Sequence, residues 1–409
     1  MQSHGKNHIF IVCGKSPLTA FGGGYSSYAL NLSKVLYNLG YSVYIVTFDN
    51  RNQIIKKKNY TLLLTKIPFL DAKVSTLPFL PIVCLFFGKE IISIAKELSL
   101  SKITIWGIGP WGLTGILVKI FSQRKVILIN NYFTSLKHEW EKALEAVKIK
   151  DYGIFAKCKY AIVYYILIQI MSIFEQLLLK RADSIVTNYL STEKILKKQF
   201  SITKSKFFRT RFFVQTYKRE TDVKSKKIVL PKKYILLICR QDPRKGVNFL
   251  LCAMAILLSK GVKIPLLIIG DGELLLANKN LAKKMNLSKI VSFLGFVNDY
   301  SQILKLATIF CLPSIEEGAG ALVLNEAMAQ GLPIVSTSCD GIVEDLKNGK
   351  EALLVEPMNP QALANALEEV LGNPKLAQKL GNNAKLRYQK QFGIEKMEKD
   401  VKRLLGRFL

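Results

Sequence analysis

Acidic residues are scarce in this 409-residue chain: 30 Asp and Glu stand against 59 Lys and Arg, for a formal net charge of +29. Paired cysteines are missing too. The seven cysteines, at positions 13, 84, 158, 239, 252, 311 and 339, are odd in number, contain no CxxC spacing and mostly lie in apolar runs. That excludes a disulfide framework and a zinc site of the usual spacing, and predicts reduced, buried thiols in a cytosolic compartment. No signal-peptide layout precedes the first apolar stretch, which predicts that the chain is not exported. Internal repeats and low-complexity tracts are absent from the sequence, which excludes a repeat array.

Long uninterrupted apolar runs are also lacking. Leu77–Gly88 is 12 residues long and holds Pro78 and Pro81, so it is too short to span a bilayer. Tyr160–Leu179 reaches 20 residues but carries Gln169, Glu175 and Gln176. It reads as a buried core helix, with an interfacial helix as the alternative.

What is present suits two domains. Apolar residues make up 49% of the chain, and its length fits two cores of roughly 200 residues each. Short β-branched runs alternate with amphipathic stretches, the signature of βα units around a parallel sheet. Strands are expected at His8–Cys13, Ser42–Phe48, Ile103–Trp106, Val126–Ile129 and Ser184–Thr187 in the first half. In the second they are expected at Tyr234–Cys239, Pro265–Ile269, Ile290–Leu294, Thr308–Leu312, Pro333–Ser336 and Ala352–Val355. Each half therefore holds enough strands for its own doubly wound sheet. The charged segment Lys218–Lys233, closed by Pro231, is the linker candidate.

The charge is uneven. Residues 1–230 carry 35 Lys/Arg against 13 Asp/Glu, a net of +22, and residues 231–409 carry 24 against 17, a net of +7. A one-sided excess suggests that the first half faces an anionic partner, whether phospholipid, nucleic acid or acidic substrate. Nucleic acid is disfavoured because Lys and Arg are not interleaved with aromatics in a module pattern. The nearest approach, Lys204–Phe213, reads more simply as the strand before the linker.

Glycines after strands mark where a ligand can approach. Gly22, Gly23 and Gly24 lie between the first strand and an apolar helix, where helix N–H groups favour phosphate oxygens. The spaced dinucleotide fingerprint is missing, and no acidic residue closes the second strand to hold a ribose. In the second half, Arg240-Gln241-Asp242-Pro243-Arg244-Lys245-Gly246 follows a strand. Arg240 and Lys245 are well placed there to hold a diphosphate. Gly270-Asp271-Gly272 and Gly295-Phe296-Val297-Asn298 end the next two strands. The run Pro313–Pro333 then places Glu317, Gly318, Ala319, Gly320 and Ala321 ahead of a helix that carries Glu326 and ends at Gly331. Open N–H groups near Gly318–Ala321 are expected to make an anion or hydroxyl site.

Arg240 with Lys245-Gly246, Gly270-Asp271-Gly272, Leu294-Gly295-Phe296-Val297 and Glu317–Pro333, followed by Asp340-Gly341…Glu344 and Leu354-Val355-Glu356-Pro357, resemble the donor half of family 4 glycosyltransferases with the GT-B fold. The likeness is strong over about residues 230–360. In the first half it rests on Gly22–Gly24 and the Asn130–Glu139 region. The resemblance implies two Rossmann-like domains facing across a cleft: an acceptor domain at 1–225, a donor domain at 230–390, and a last helix in 391–409 packing back on the first.

It also implies a nucleotide-sugar donor linked through UDP or GDP, a glycan or lipid-linked acceptor, and transfer with retention. No cofactor or metal is implied. Arg240 and Lys245 would stabilise the leaving diphosphate, Glu326 would hold the ribose, and Glu317 with the Gly318–Gly320 backbone would hold the sugar. Gly270 and Val297 would line the nucleotide, and His138 is the histidine placed to contact the donor sugar. No residue is implied as a nucleophile. One departure stands out: eight residues separate Glu317 from Glu326, where the family has seven. A sugar-nucleotide epimerase or a phosphorylase is the rival activity on the same fold. The basic half suggests a cytoplasmic protein attached to an anionic membrane surface, and the sequence leaves the oligomeric state open.

Overall fold

The computed structural model describes residues 7–14, 16, 23–71, 77–149, 158, 161–211, 229–297, 299–318 and 320–408. They fall into two compact units. The first gathers Met1–Leu136, Leu167–Val214 and Phe392–Leu409, and the second gathers Lys137–Ile166 and Gln215–Gln391.

The first unit holds β1 (His8–Val12), β2 (Ser42–Phe48), β3 (Gln53–Lys56), β4 (Thr61–Thr65), β5 (Lys102–Ile108), β6 (Lys125–Tyr132), β7 (Ser184–Thr187) and β8 (Phe207–Arg209). Their order is β3-β4-β2-β1-β5-β6-β7-β8. All pair in parallel except β3, which lies antiparallel on β4. Ile9 sits opposite Val43 on one side and Thr104 on the other. Strands buried on both faces explain why β1 is apolar after His8 and why β5 carries only Thr104 among its apolar residues once past Lys102. The order reverses between β1 and β5.

The second unit holds β9 (Ile235–Ile238), β10 (Leu266–Ile269), β11 (Val291–Gly295), β12 (Ile309–Leu312), β13 (Ile334–Thr337) and β14 (Leu353–Val355). They pair in parallel in the order β11-β10-β9-β12-β13-β14, reversing between β9 and β12.

Three expectations need correcting. The helix Leu136–Ile149 falls in the first domain if the chain is cut at 225, yet from Lys137 onward it groups with the second unit. The reason lies in its contacts: Glu139 pairs with Arg244 at 2.8 Å, and Ala146 packs with Phe249 and Ile315. The stretch Tyr160–Leu179 is not a fully buried core helix. Met171, Glu175, Leu178 and Leu179 of Gln169–Arg181 are buried, whereas Ile170, Ile173 and Leu177 are exposed. Leu77–Gly88 does not end at Gly88. A turn at Leu77–Phe79 leads into the helix Leu80–Glu97, with Pro81 in the first turn where its missing N–H costs little. Leu77–Glu97 and Val163–Arg181 are both long and apolar enough to cross a membrane by length and composition, and they are 39% and 28% buried.

The last helix, Ile394–Leu405, belongs to the first unit. It buries Met397, Val401, Leu404 and Leu405 there, and Glu398 accepts a hydrogen bond from Asn38 at 2.7 Å. Most of the expected linker, residues 218–228, lies outside the described residues.

Candidate functional site

In open α/β sheets ligands bind outside the carboxyl ends of the strands where the order reverses. In the second unit that point lies between β9 and β12, and the loops leaving those strands are held together. Asp242 caps the turn Pro243–Lys245 by accepting the Arg244 backbone N–H at 3.1 Å. Gly246 ends the turn at φ 61°, and a Cβ there would lie 2.1 Å from the Pro313 carbonyl oxygen. Only glycine permits that approach. The Ile315 N–H then donates to the Arg244 carbonyl at 2.6 Å.

Charged side chains fill this junction. Arg244, 13% exposed, reaches Glu316 at 2.7 Å, Glu139 at 2.8 Å and Asp242 at 3.2 Å. Burial disfavours the Asp242 carboxylate, but Arg244, then Arg240 and Lys245, hold its pKa down at about 2. Burial pushes the Glu139 carboxyl up, with help from Glu316 and Asp242 and against the pull of Arg244.

The predicted pair of cations divides. Arg240 is 68% exposed, with its guanidinium 2.9 Å from Asp242. Lys245 is largely buried and paired with the Glu317 carboxylate, which also accepts from the Ser314 hydroxyl at 2.7 Å. Burial opposes the Lys245 ammonium, yet Glu317 carries its pKa above the ordinary value.

Glu317 links in turn to His138. Its backbone N–H donates to Asp340 at 3.1 Å, and the other Asp340 oxygen lies 3.7 Å from His138 Nε2. Burial opposes the His138 imidazolium, but hydrogen bonding and charge from Asp340, with Glu316, raise its pKa. Asp340 holds a left-handed φ of 37° to make both contacts. His138, Glu316 and Asp340 present ligand atoms within 4.8 Å of one another, although Glu316 is already engaged by Arg244 and by the Gly318 N–H.

Within the anion-binding backbone expected at Gly318–Ala321, the N–H groups of Gly318 and Gly320 are already engaged. Gly318 N–H donates to Glu316 at 2.8 Å and Gly320 N–H to the Glu317 carbonyl at 2.8 Å. The helix Leu322–Gln330 starts only after buried Ala321, so residues 318–321 separate Glu317 from the helix, and the additional residue between the two glutamates need not fall inside it. Glu326 lies within that helix and accepts from the Tyr300 hydroxyl at 2.8 Å. Burial, then the Glu326 charge, raises the pKa of nearby Tyr388.

Gly270 holds φ 122° where a Cβ would meet the Cys239 carbonyl, and its N–H donates to Gly295 at 2.8 Å. Val297 is half-buried just beyond β11. In the first unit, Gly23 opens the helix Gly23–Asn38 and Gly24 is exposed. Gly22 and Ala319 lie outside the described residues.

Sequence reasoning assigned no role to Arg244, Asp242, Glu139, Ser314 or Tyr300. Asp242 carried a signal, an Asp-Pro pair opening a turn. Arg244 and Lys245 are adjacent cations that sequence alone does not tell apart.

Residues 218–387 match the family described as glycosyl transferases group 1. An uncharacterized glycosyltransferase of Haemophilus influenzae is 35% identical over 183 residues, 44% of this chain and 51% of that protein. A phosphatidyl-myo-inositol mannosyltransferase of Mycobacterium leprae is 32% identical over 150 residues, 36% of this chain and 39% of that one. The matched region thus spans about half or less of these relatives' lengths. The crystal structure of Anabaena HepE in complex with UDP and glucose superposes with a TM-score of 0.70 at 14% identity, covering 98% of this chain and 100% of that one. The likeness extends the shared fold to the first unit, and the chain has the two-sheet GT-B architecture.

Proposed function

From a chain whose residues 218–387 match the glycosyl transferases group 1 family, we propose a retaining glycosyltransferase that moves a sugar from a nucleoside diphosphate donor to a glycan or lipid-linked acceptor of the cell envelope. The observation that carries this is the cluster at the β9–β12 reversal, where Arg240 and Lys245 leave one strand end and Glu317 leaves the other. Exposed Arg240 and ion-paired Lys245 offset the charge that develops on the departing diphosphate, an effect worth several kcal/mol in a preorganised site. Glu317 keeps the Lys245 ammonium in position and, with His138, faces the sugar. Glu326 takes the ribose hydroxyls in place of the Tyr300 contact. Retention follows from attack on the face the diphosphate leaves, with a diphosphate oxygen taking the acceptor proton. Because protein cations supply the positive charge, no metal is needed.

Binding of UDP in the HepE structure supports a nucleotide donor, and the mannosyltransferase named above supports a lipid acceptor. The chain works in the cytoplasm, attached to the membrane surface through its basic half. The free thiols of Cys13, Cys84, Cys252, Cys311 and Cys339, all buried, suit a reducing compartment.

The test begins with thermal shifts for UDP, GDP, ADP and their sugars, since a ligand of the folded state raises its stability. With the donor found, Arg240→Ala and Lys245→Ala should each lower turnover about 10²-fold with the fold intact, and a chelator should leave turnover unchanged. Near wild-type turnover in both variants would remove the diphosphate role.

A further inference from the structure

The first unit carries a surface that nucleotide-sugar chemistry does not use. The helix Leu80–Glu97 buries Val83, Cys84, Phe87, Ile91 and Ile94 against the core. Over its first two turns the other face, where a soluble helix normally carries polar residues, is apolar: Phe79, at its start, Ile82 and Leu85 are 37%, 40% and 38% exposed, before Lys89, Ser93 and Lys96 take over the exposed positions. Phe69, 59% exposed, extends the patch by packing edge-on to Phe79 with ring centres 6.4 Å apart.

The same face runs directly into a cationic groove. Phe86 and Lys89 follow Ile82 at helical spacing and line an open cavity of about 450 Å³ together with Asn52, Thr65, Lys66, Pro68 and Glu90. Lys66 and Lys89 are both exposed, and the Lys89 ammonium lies 5.9 Å from the centre of the Phe86 ring. Glu90 is the one carboxylate among the lining residues. From Phe79 to Lys89 the helix advances about 15 Å, the length of an extended chain of roughly a dozen carbons.

We propose that this surface docks the protein on a membrane leaflet of anionic phospholipid, with one lipid phosphate seated between Lys66 and Lys89 and its hydrocarbon lying along Phe86, Leu85, Ile82, Phe79 and Phe69. Charge complementarity selects this occupant. The groove needs an anionic head, and the adjoining apolar face needs a tail that neither a nucleotide nor a free glycan possesses. Two lysines near an anionic leaflet add attraction, and shallow insertion of the helix face supplies apolar burial. The inference rests on the membrane part of the proposed function and gives it a site.

The experiment is cosedimentation of the full chain with phosphatidylcholine vesicles, with and without phosphatidic acid. Wild type should bind only the acidic vesicles. K66E/K89E should weaken that binding about tenfold or more, and so should F79S/I82S, whereas K279E/K283E, the same charge change on the second unit, should keep it. Equal losses in the two lysine variants would show diffuse charge alone and overturn the proposal. So would unchanged binding by F79S/I82S, or full release by inorganic phosphate, which would mark a free-anion site. Nucleotide thermal shifts on each variant separate the two readings. A normal shift without vesicle binding sinks the docking surface alone, and vesicle binding without a shift sinks the donor reading alone.

Discussion

Arg244→Met is the sharpest test of how the candidate site is held together. Wild-type Arg244 stands within 2.7 to 3.2 Å of Glu316, Glu139 and Asp242, with its side chain only 13% exposed. Methionine keeps much of the volume and removes the charge, leaving three carboxylates facing one another. Removing one partner from a buried ion network costs about 3–5 kcal/mol; here Glu139 and Glu316 lose their cation while Asp242 keeps Arg240 at 2.9 Å. For a unit of roughly 200 residues, that corresponds to a fall of about 6–20 °C in the melting temperature. Urea denaturation followed by fluorescence of Trp140, the second unit's tryptophan, reads the loss beside the substitution. Acid supplies an internal check. Asp242 is held at about 2, so its contribution is complete above its ordinary pKa of 3.8 and disappears as the pH falls through about 2. Because Arg240 and Lys245 also hold Asp242 down and remain in the variant, the gap between wild type and variant should narrow over that window. A variant within about 1 kcal/mol of wild type at neutral pH would refute the picture of Arg244 as the tie between the two loops.

Other outcomes follow from individual contacts. Glu326→Gln should weaken binding of the nucleoside diphosphate and of the nucleotide sugar alike, read by calorimetry, while Glu317→Gln should affect mainly the sugar nucleotide. Gly246→Ala should lower the stability of the second unit by about 1–3 kcal/mol in urea melts, since the new methyl meets the Pro313 carbonyl at a left-handed φ. The raised pKa of His138 makes its pairing with Asp340 stabilising below the ordinary histidine pKa and lost as pH rises through the raised value. Asp340→Asn should therefore destabilise more at about pH 5.5 than at about pH 8.5, and equal losses at both would remove the ion pair.

Strands with continuous apolar runs were readable because both their faces are buried, and β2 and β7 match expectation at both ends. The hairpin of β3 and β4 was not. Gln53–Lys56 lies at the sheet edge with its residues mostly exposed, so it lacks the alternation that marks a half-buried strand. In the site, Lys245 and Glu317 were legible as chemistry and proved to be partners. The supposed open N–H groups at Gly318 and Gly320 were not, because local carboxylate and carbonyl acceptors already engage them. Nor does sequence show that Glu139, 105 positions before Arg244, belongs to the second unit, since that assignment exists only once the pair has formed.

The last helix bears on how the chain is built as well as on what it becomes. Phe392 packs near Arg211, Arg403 and Arg407 cover the Phe208 ring of β8, and Lys102 at the start of β5 reaches the Phe408 carbonyl at 3.1 Å. The first unit therefore takes its finishing piece from residues synthesised after the whole second unit. On the ribosome, the second sheet has all its strands in hand while the first still waits for its closing segment. Early residues must stay competent to pair across nearly the full length of the chain, a demand that slows folding and prolongs the exposure of apolar strands.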